Sequence, residues 1–204
     1  MKSTLALSSS LSALLAFLLS ANTVGGASLT DDQLFRAANT NCSTIMEIIC
    51  DNDNELSTDT LCEAIQLAGL QDDLDTDTWT LFAPTNDAFD SLPDDVINSL
   101  LGGPTMDDTR GLIDLIAFHA VPGEEWNSTD LKCDGRIFMA NEEYSVTICE
   151  GDRLYQVGVG NPTTNYPEIT GATIEACNGI VHTIRYVQYT CCYTVVSKKK
   201  LMRQ

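Results

Sequence analysis

Apolar and polar positions divide this chain into a helical first half and a strand-rich second half. Leu61, Ala64, Ile65 and Ala68 recur at the i, i+3, i+4, i+7 spacing of one helix face, and Gly69 stands where a left-handed helix stop falls. Upstream, Ile45, Met46, Ile48 and Ile49 predict a short helix from Ser43 to Cys50, capped by Ser43 or Asn41. Asp72, Asp73, Asp75 and Asp77 read as a hydrophilic connection into Trp79-Thr80-Leu81-Phe82, a buried strand. Pro84 has no N–H to give a sheet and biases Ala83 towards extended backbone, so the strand should end there. Thr85 or Asn86 is then placed to cap a helix, with Asp87 at the positive end of its dipole and Ala88 and Phe89 turned to the core. Pro93 opens another helix, whose face is Val96, Ile97, Leu100 and Leu101 and whose stop is Gly102-Gly103-Pro104. A further helix is predicted from Thr109 to Ile116, running into a strand and turn over Ala117 to Gly123.

Beyond that point the texture changes. Arg136 to Ala140, Tyr144 to Cys149, Leu154 to Val159, Ile169 to Ala176 and Ile180 to Val187 are short runs rich in β-branched and aromatic residues, separated by turn-forming residues. Asn178-Gly179 between two of them predicts a tight hairpin, and Asp134-Gly135-Arg136 a turn into a strand. Helices followed by strands in 204 residues predict one α+β domain.

The first residues are a layout apart. Met1-Lys2, an apolar serine-broken run from Leu5 to Leu19, and small residues through Ala27 form the pattern of a secretory signal peptide over residues 1–27; the run is too short for a membrane span. Eight cysteines, Cys42, Cys50, Cys62, Cys133, Cys149, Cys177, Cys191 and Cys192, fit that compartment as disulfide partners. Connectivity is left open, except that Cys133 and Cys149 flank a predicted hairpin and could bridge locally, while adjacent Cys191 and Cys192 point to different partners. Asn41 and Asn127 each begin a glycosylation sequon. The formal charge of -18 excludes nucleic acid as a natural partner, since phosphate binding needs a basic surface. Lys198-Lys199-Lys200 with Arg203 is a solvated tail, and no apolar segment follows it to suggest a lipid anchor.

Three stretches, taken together, match a known pattern. Thr80-Leu-Phe-Ala-Pro-Thr-Asn-Asp-Ala-Phe89 resembles the first signature block of the fasciclin-like domain, with Thr80, Phe82, Ala83, Pro84, Thr85, Asn86 and Phe89 as its motif positions. Asn178-Gly-Ile-Val-His-Thr-Ile184 resembles the second block, through Asn178, Gly179 and His182, and Phe118-His119 is similar to the Tyr-His segment between them. The resemblance implies a fasciclin-like domain over residues 40–190, a β-sheet wedge or sandwich with helices packed on one side, preceded by an extension at 28–39 and followed by a basic tail at 191–204. It implies a secreted, non-enzymatic adhesion or matrix module that binds extracellular proteins or polysaccharide, with no cofactor. It also implies a partner contact near Phe118 and His119, although Phe118 lacks the hydroxyl of the usual Tyr and Arg185 stands where an Asp commonly follows the second block.

The residues offer little competing chemistry. His119 and His182, the only imidazoles, lie inside apolar runs and read as core residues bonded to nearby groups; no nucleophile elbow accompanies them. Asp51-x-Asp53-x-Glu55 lacks the Gly and Glu that a calcium loop needs, and no Cys-x-x-Cys spacing suggests zinc, so no metal is expected. The acid pairs Asp72/Asp73, Asp94/Asp95 and Glu124/Glu125 keep open a secreted glycan-directed hydrolase, and a carrier of a small apolar or carbohydrate ligand is the third possibility.

Overall fold

A computed structural model describes residues 42–51, 55–93, 96–97 and 106–190. The leader, Asn41, the pair Asp94/Asp95, Leu100, Leu101, Cys191, Cys192 and the basic tail lie outside the described residues.

Helix α1, Ile45–Ile49, buries Ile45, Met46 and Ile49. Its cap is Thr44, one residue on from the predicted Ser43. The Thr44 hydroxyl accepts from the Glu47 N–H, and the Glu47 carboxylate accepts from the Thr44 N–H. This reciprocal box satisfies two N–H groups that a helix start leaves free. Helix α2, Asp59–Ala68, buries Leu61, Ala64 and Ile65 of the predicted stripe, half-buries Ala68, and ends at Gly69 with φ +72°. The acidic stretch expected as a connection is instead helix α3, Gln71–Thr76, whose one buried residue is Leu74.

Strand β1, Trp79–Pro84, leads through Thr85 into the short helix α4, Asn86–Asp90. Val96 and Ile97 are helical, and helix α5 spans Met106–Ala117, with buried Leu112, Leu115 and Ile116 against the same core as α2. The strand predicted from Ala117 begins only at Ala120, because Phe118 and His119 still donate backbone bonds to the last turn of α5. The remaining strands are β2 (Ala120–Pro122), β3 (Arg136–Phe138), β4 (Tyr144–Glu150), β5 (Arg153–Gly158), β6 (Ile169–Ala176) and β7 (Gly179–Ile184).

They form two sheets, one in the order β2-β1-β7-β6 and one in the order β3-β4-β5. The two signature blocks are therefore neighbours: β1 and β7 run parallel in the centre of the larger sheet, pairing from Trp79↔Gly179 to Pro84↔Ile184. At that crossing Gly179 has φ +143°, and a Cβ there would collide with the Trp79 backbone, so the position admits only glycine. The hairpin is real but shifted from the expected dipeptide. Its two turn residues are Cys177 and Asn178, and Gly179 already pairs with Ala176.

Two apolar clusters fill the interior. One lies among α1, α2, α5 and the inner faces of β1 and β7; the other joins Phe82, Phe118, Val121, Leu131, Ile137, Met139 and Ile184. Disulfides Cys42–Cys177, Cys50–Cys62 and Cys133–Cys149 staple the start of α1 to the β6–β7 turn, α1 to α2, and the approach to β3 to the end of β4. The Cys133–Cys149 bridge is the one the hairpin suggested.

Candidate functional site

Among the polar motif positions of the two signature blocks, Thr80, Asn178 and His182 are buried, and Thr85 and Asn86 are half-buried. Asn178 accepts from the Ile45 N–H at 2.9 Å and donates to the Leu74 and Asp77 carbonyls at 2.6 and 3.3 Å, tying the β6–β7 turn to α1 and to the end of α3. Asn86 does not cap its own helix. Its Oδ1 accepts from the Thr60 N–H and its Nδ2 donates to Asp59, so it closes the start of α2 instead. Thr85 occupies the cap position of α4 without a side-chain capping bond.

Thr80 and His182 point to a third place. The Thr80 hydroxyl donates to the Glu124 carbonyl at 2.7 Å and accepts from the Trp126 N–H at 2.8 Å. His182 Nε2 lies 2.7 Å from the Trp126 carbonyl, so that nitrogen carries the proton and donates. Its ring stacks on Phe82 at 5.5 Å, and Nδ1 has no hydrogen-bond partner. Burial lowers the His182 pKa, because a cation there would be stripped of water. The Trp126 indole N–H donates to the Glu124 carboxylate at 2.8 Å. Residues 124–126 are thus held at four hydrogen bonds, three of them from the centre of the larger sheet.

This segment forms one wall of a cleft of about 540 Å³ lined by Glu124, Glu125, Trp126, Asp130, Leu131, Lys132, Gly135, Arg136, Ile137 and Thr147. Leu131 and Ile137 are buried and give it an apolar floor, while Glu124, Glu125, Asp130, Lys132 and Arg136 are exposed. Beyond Arg136 the surface continues onto two exposed aromatic rings. The guanidinium sits 4.6 Å from the Tyr144 ring centroid, and Tyr144 packs on Phe138 with centroids 5.1 Å apart. Asn127 adjoins the cleft in a turn closed by the Asp130 carboxylate and N–H.

His119 and Phe118, expected near a partner, have no surface to present: they are 2% and 1% exposed. Phe118 fills the second apolar cluster. His119 Nε2 accepts from the Gln188 N–H at 2.9 Å, which obliges Nδ1 to carry the proton that it donates to the Leu115 carbonyl at 2.7 Å. Both nitrogens are satisfied only in the neutral ring, and burial holds the pKa down at about 4. Neither histidine touches the cleft residues through a free nitrogen donor suited to acid–base work. Of the acid pairs, Asp72 and Asp73 sit on α3, and Glu124 and Glu125 follow β2 at the rim of the cleft. Among the described residues there is no cluster arranged to hold a metal ion, and no helix is long and apolar enough to cross a membrane. Arg185, the departure in the second block, lies 3.9 Å from one oxygen of the Glu168 carboxylate, and Arg153 lies 3.6 Å from the other.

The sequence model of the Fasciclin domain matches residues 56–189. This chain belongs to the fasciclin domain family. It is 30% identical over 154 residues to Protein sll1483 of Synechocystis, covering 74% of this chain and 76% of that one. It is 35% identical over 147 residues to the pig transforming growth factor-beta-induced protein ig-h3, and 32% identical over 146 residues to the rabbit protein; this chain covers 71% of itself but only 19% of either relative. The fold is similar to that found in a FAS1 domain pair from the insect cell adhesion molecule Fasciclin I, with a TM-score of 0.58 at 14% identity; the match covers 72% of this chain and 51% of that one. Helix α1 precedes the matched segment, yet its three buried residues, Ile45, Met46 and Ile49, belong to the same fasciclin core. The cleft itself escaped sequence reading, which placed Thr80 and His182 in the core and left Trp126 unassigned; the usable signal was two polar residues inside otherwise apolar central strands.

Proposed function

We propose that this chain is a secreted adhesion or matrix-contact module without a catalytic step, and that it meets extracellular proteins or polysaccharide through the Trp126 cleft. The observation that carries the reading is the use of Thr80 and His182. Burying a hydroxyl and an imidazole in central strands costs stability unless their bonds are made, and both spend those bonds on the wall of one surface cleft. Family membership supports the adhesion role, as does the fold shared with an insect cell adhesion molecule. The leader-like start at residues 1–27 and three disulfides among the described residues support export to an oxidising compartment. Residues 40–190 are then the adhesive unit, 28–39 and 191–204 its flanks, and Asn127 a glycan acceptor beside the cleft.

The test is retention. Residues 28–204, immobilised, should hold components of an extracellular matrix extract. The hydrolase reading would instead gain if the protein released sugars from glycans at a rate lost in Glu124→Gln or Glu125→Gln, with no retention.

A further inference from the structure

We infer that the Trp126 cleft binds an uncharged polysaccharide, taking sugar units against the indole. This deepens the adhesion reading above and rests on it. The cleft has a volume suited to a ligand of a few rings. Its composition then narrows the ligand by charge. An anionic chain would have to pass Glu124, Glu125 and Asp130, on a protein whose formal charge is already -18. A cationic one would be drawn by the same acids and overall charge but opposed inside the cleft by Lys132 and Arg136. A purely apolar ligand would strip water from five exposed charged side chains and offer them no polar group in exchange. A neutral sugar suits all of them, because each hydroxyl both donates and accepts. It can donate a hydrogen bond to one of the carboxylates and accept one from Lys132 or Arg136. The C–H face of the ring has the Trp126 indole and the Leu131 and Ile137 floor to lie on.

The wall is also preorganised. Trp126 is fixed through its N–H, its carbonyl and its indole nitrogen. Little side-chain freedom is left to lose on binding, which favours affinity for a weakly held ligand. Tyr144 and Phe138, beyond Arg136, extend an aromatic track along which a longer chain can continue. Thr80 and His182 act as positioning residues, since they hold the wall from beneath and do not line the cleft.

Trp79 and Trp126 are the only tryptophans, so a Trp79→Phe background isolates Trp126 fluorescence. Titration with hexaoses of glucose, mannose and xylose should shift and quench that emission for at least one of them, with hexaoses of galacturonic acid and glucosamine binding about tenfold more weakly or worse. In calorimetry, Trp126→Ala should weaken the neutral hexaose by about tenfold or more. Thr80→Val should weaken it while Thr80→Ser restores it, a rescue that general loss of packing does not produce. The inference is overturned if a folded protein binds none of the neutral hexaoses, if a charged hexaose binds more tightly, or if Trp126→Ala leaves affinity unchanged. It is also overturned if matrix retention survives periodate destruction of the sugars, because the partner is then a protein. That last result leaves the adhesion reading standing; absence of any retention removes both.

Discussion

Acid should destabilise this domain through His119. The ring is buried and neutral, with Nδ1–H bonded to Leu115 and Nε2 accepting from Gln188. Protonation would set Nε2–H against the Gln188 N–H and place a cation in the core. The folded pKa is about 4 against 6.5 for a free side chain. Because the folded value is the lower one, the unfolded chain takes up the proton first as pH falls. Stability from this source is therefore complete above pH 6.5 and declines towards pH 4. At ~1.4 kcal/mol per unit, the loss across that window is on the order of 3 kcal/mol. His182 is displaced in the same direction and adds to the slope. Urea unfolding from pH 7.5 to 4.5 would measure it, comparing the wild-type chain with His119→Gln. The variant should be less stable at pH 7.5, having lost ring packing, yet its stability should fall less between pH 6.5 and 4.5. Contributions from carboxylates are common to both chains and cancel in the difference. Equal slopes would refute the assignment of His119 as a buried neutral ring, as would an imidazole titrating near 6.5 in the folded protein by NMR.

Other residues give sharper local tests. Asn178→Ala removes three bonds that join α1, α3 and β7, stranding the Ile45 N–H, and should cost about 3 kcal/mol in chemical denaturation. Asn86→Ala should lower stability by about 1 to 2 kcal/mol while Thr85→Ala changes it much less, since only Asn86 closes a helix start; the reverse order in thermal melts would contradict the trans-capping role. Thr80→Val should speed hydrogen exchange at the Trp126 amide by about fivefold, one hydrogen bond's net worth, and unchanged protection there would break the link between the first signature block and the cleft. Alkylation of the intact protein should leave Cys42, Cys50, Cys62, Cys133, Cys149 and Cys177 unmodified until a reductant is added, as peptide mapping would show.

What the sequence disclosed and what it hid follow from the range of the interactions involved. Helix α2 was legible because a three-turn apolar stripe and a left-handed glycine are local signals. Helix α3 was not, since four acids surround one buried leucine and only packing against α1 makes that leucine decisive. The hairpin was visible in Asn178-Gly179 but off by one residue. The glycine serves a close approach to β1, not the turn, and Asn178 leaves the turn to bond residues more than 100 positions away. Asn86 misled in the same manner: a capping residue was recognised, and the helix it caps lies 26 residues upstream. The cleft was hidden entirely. Its wall depends on Thr80 and His182 reaching residues 46 and 56 positions from them, a distance at which no pattern of apolar spacing carries information.

In the proposed adhesion role, Thr80 and His182 on the central strands hold Trp126 for its partner. Retention of matrix by immobilised residues 28–204, wild type against Trp126→Ala, tests it most directly when both proteins show the same unfolding transition. The structure predicts that the alanine variant folds and loses retention by about tenfold or more. Equal retention by the two would contradict the claim and move the contact to another face of the domain.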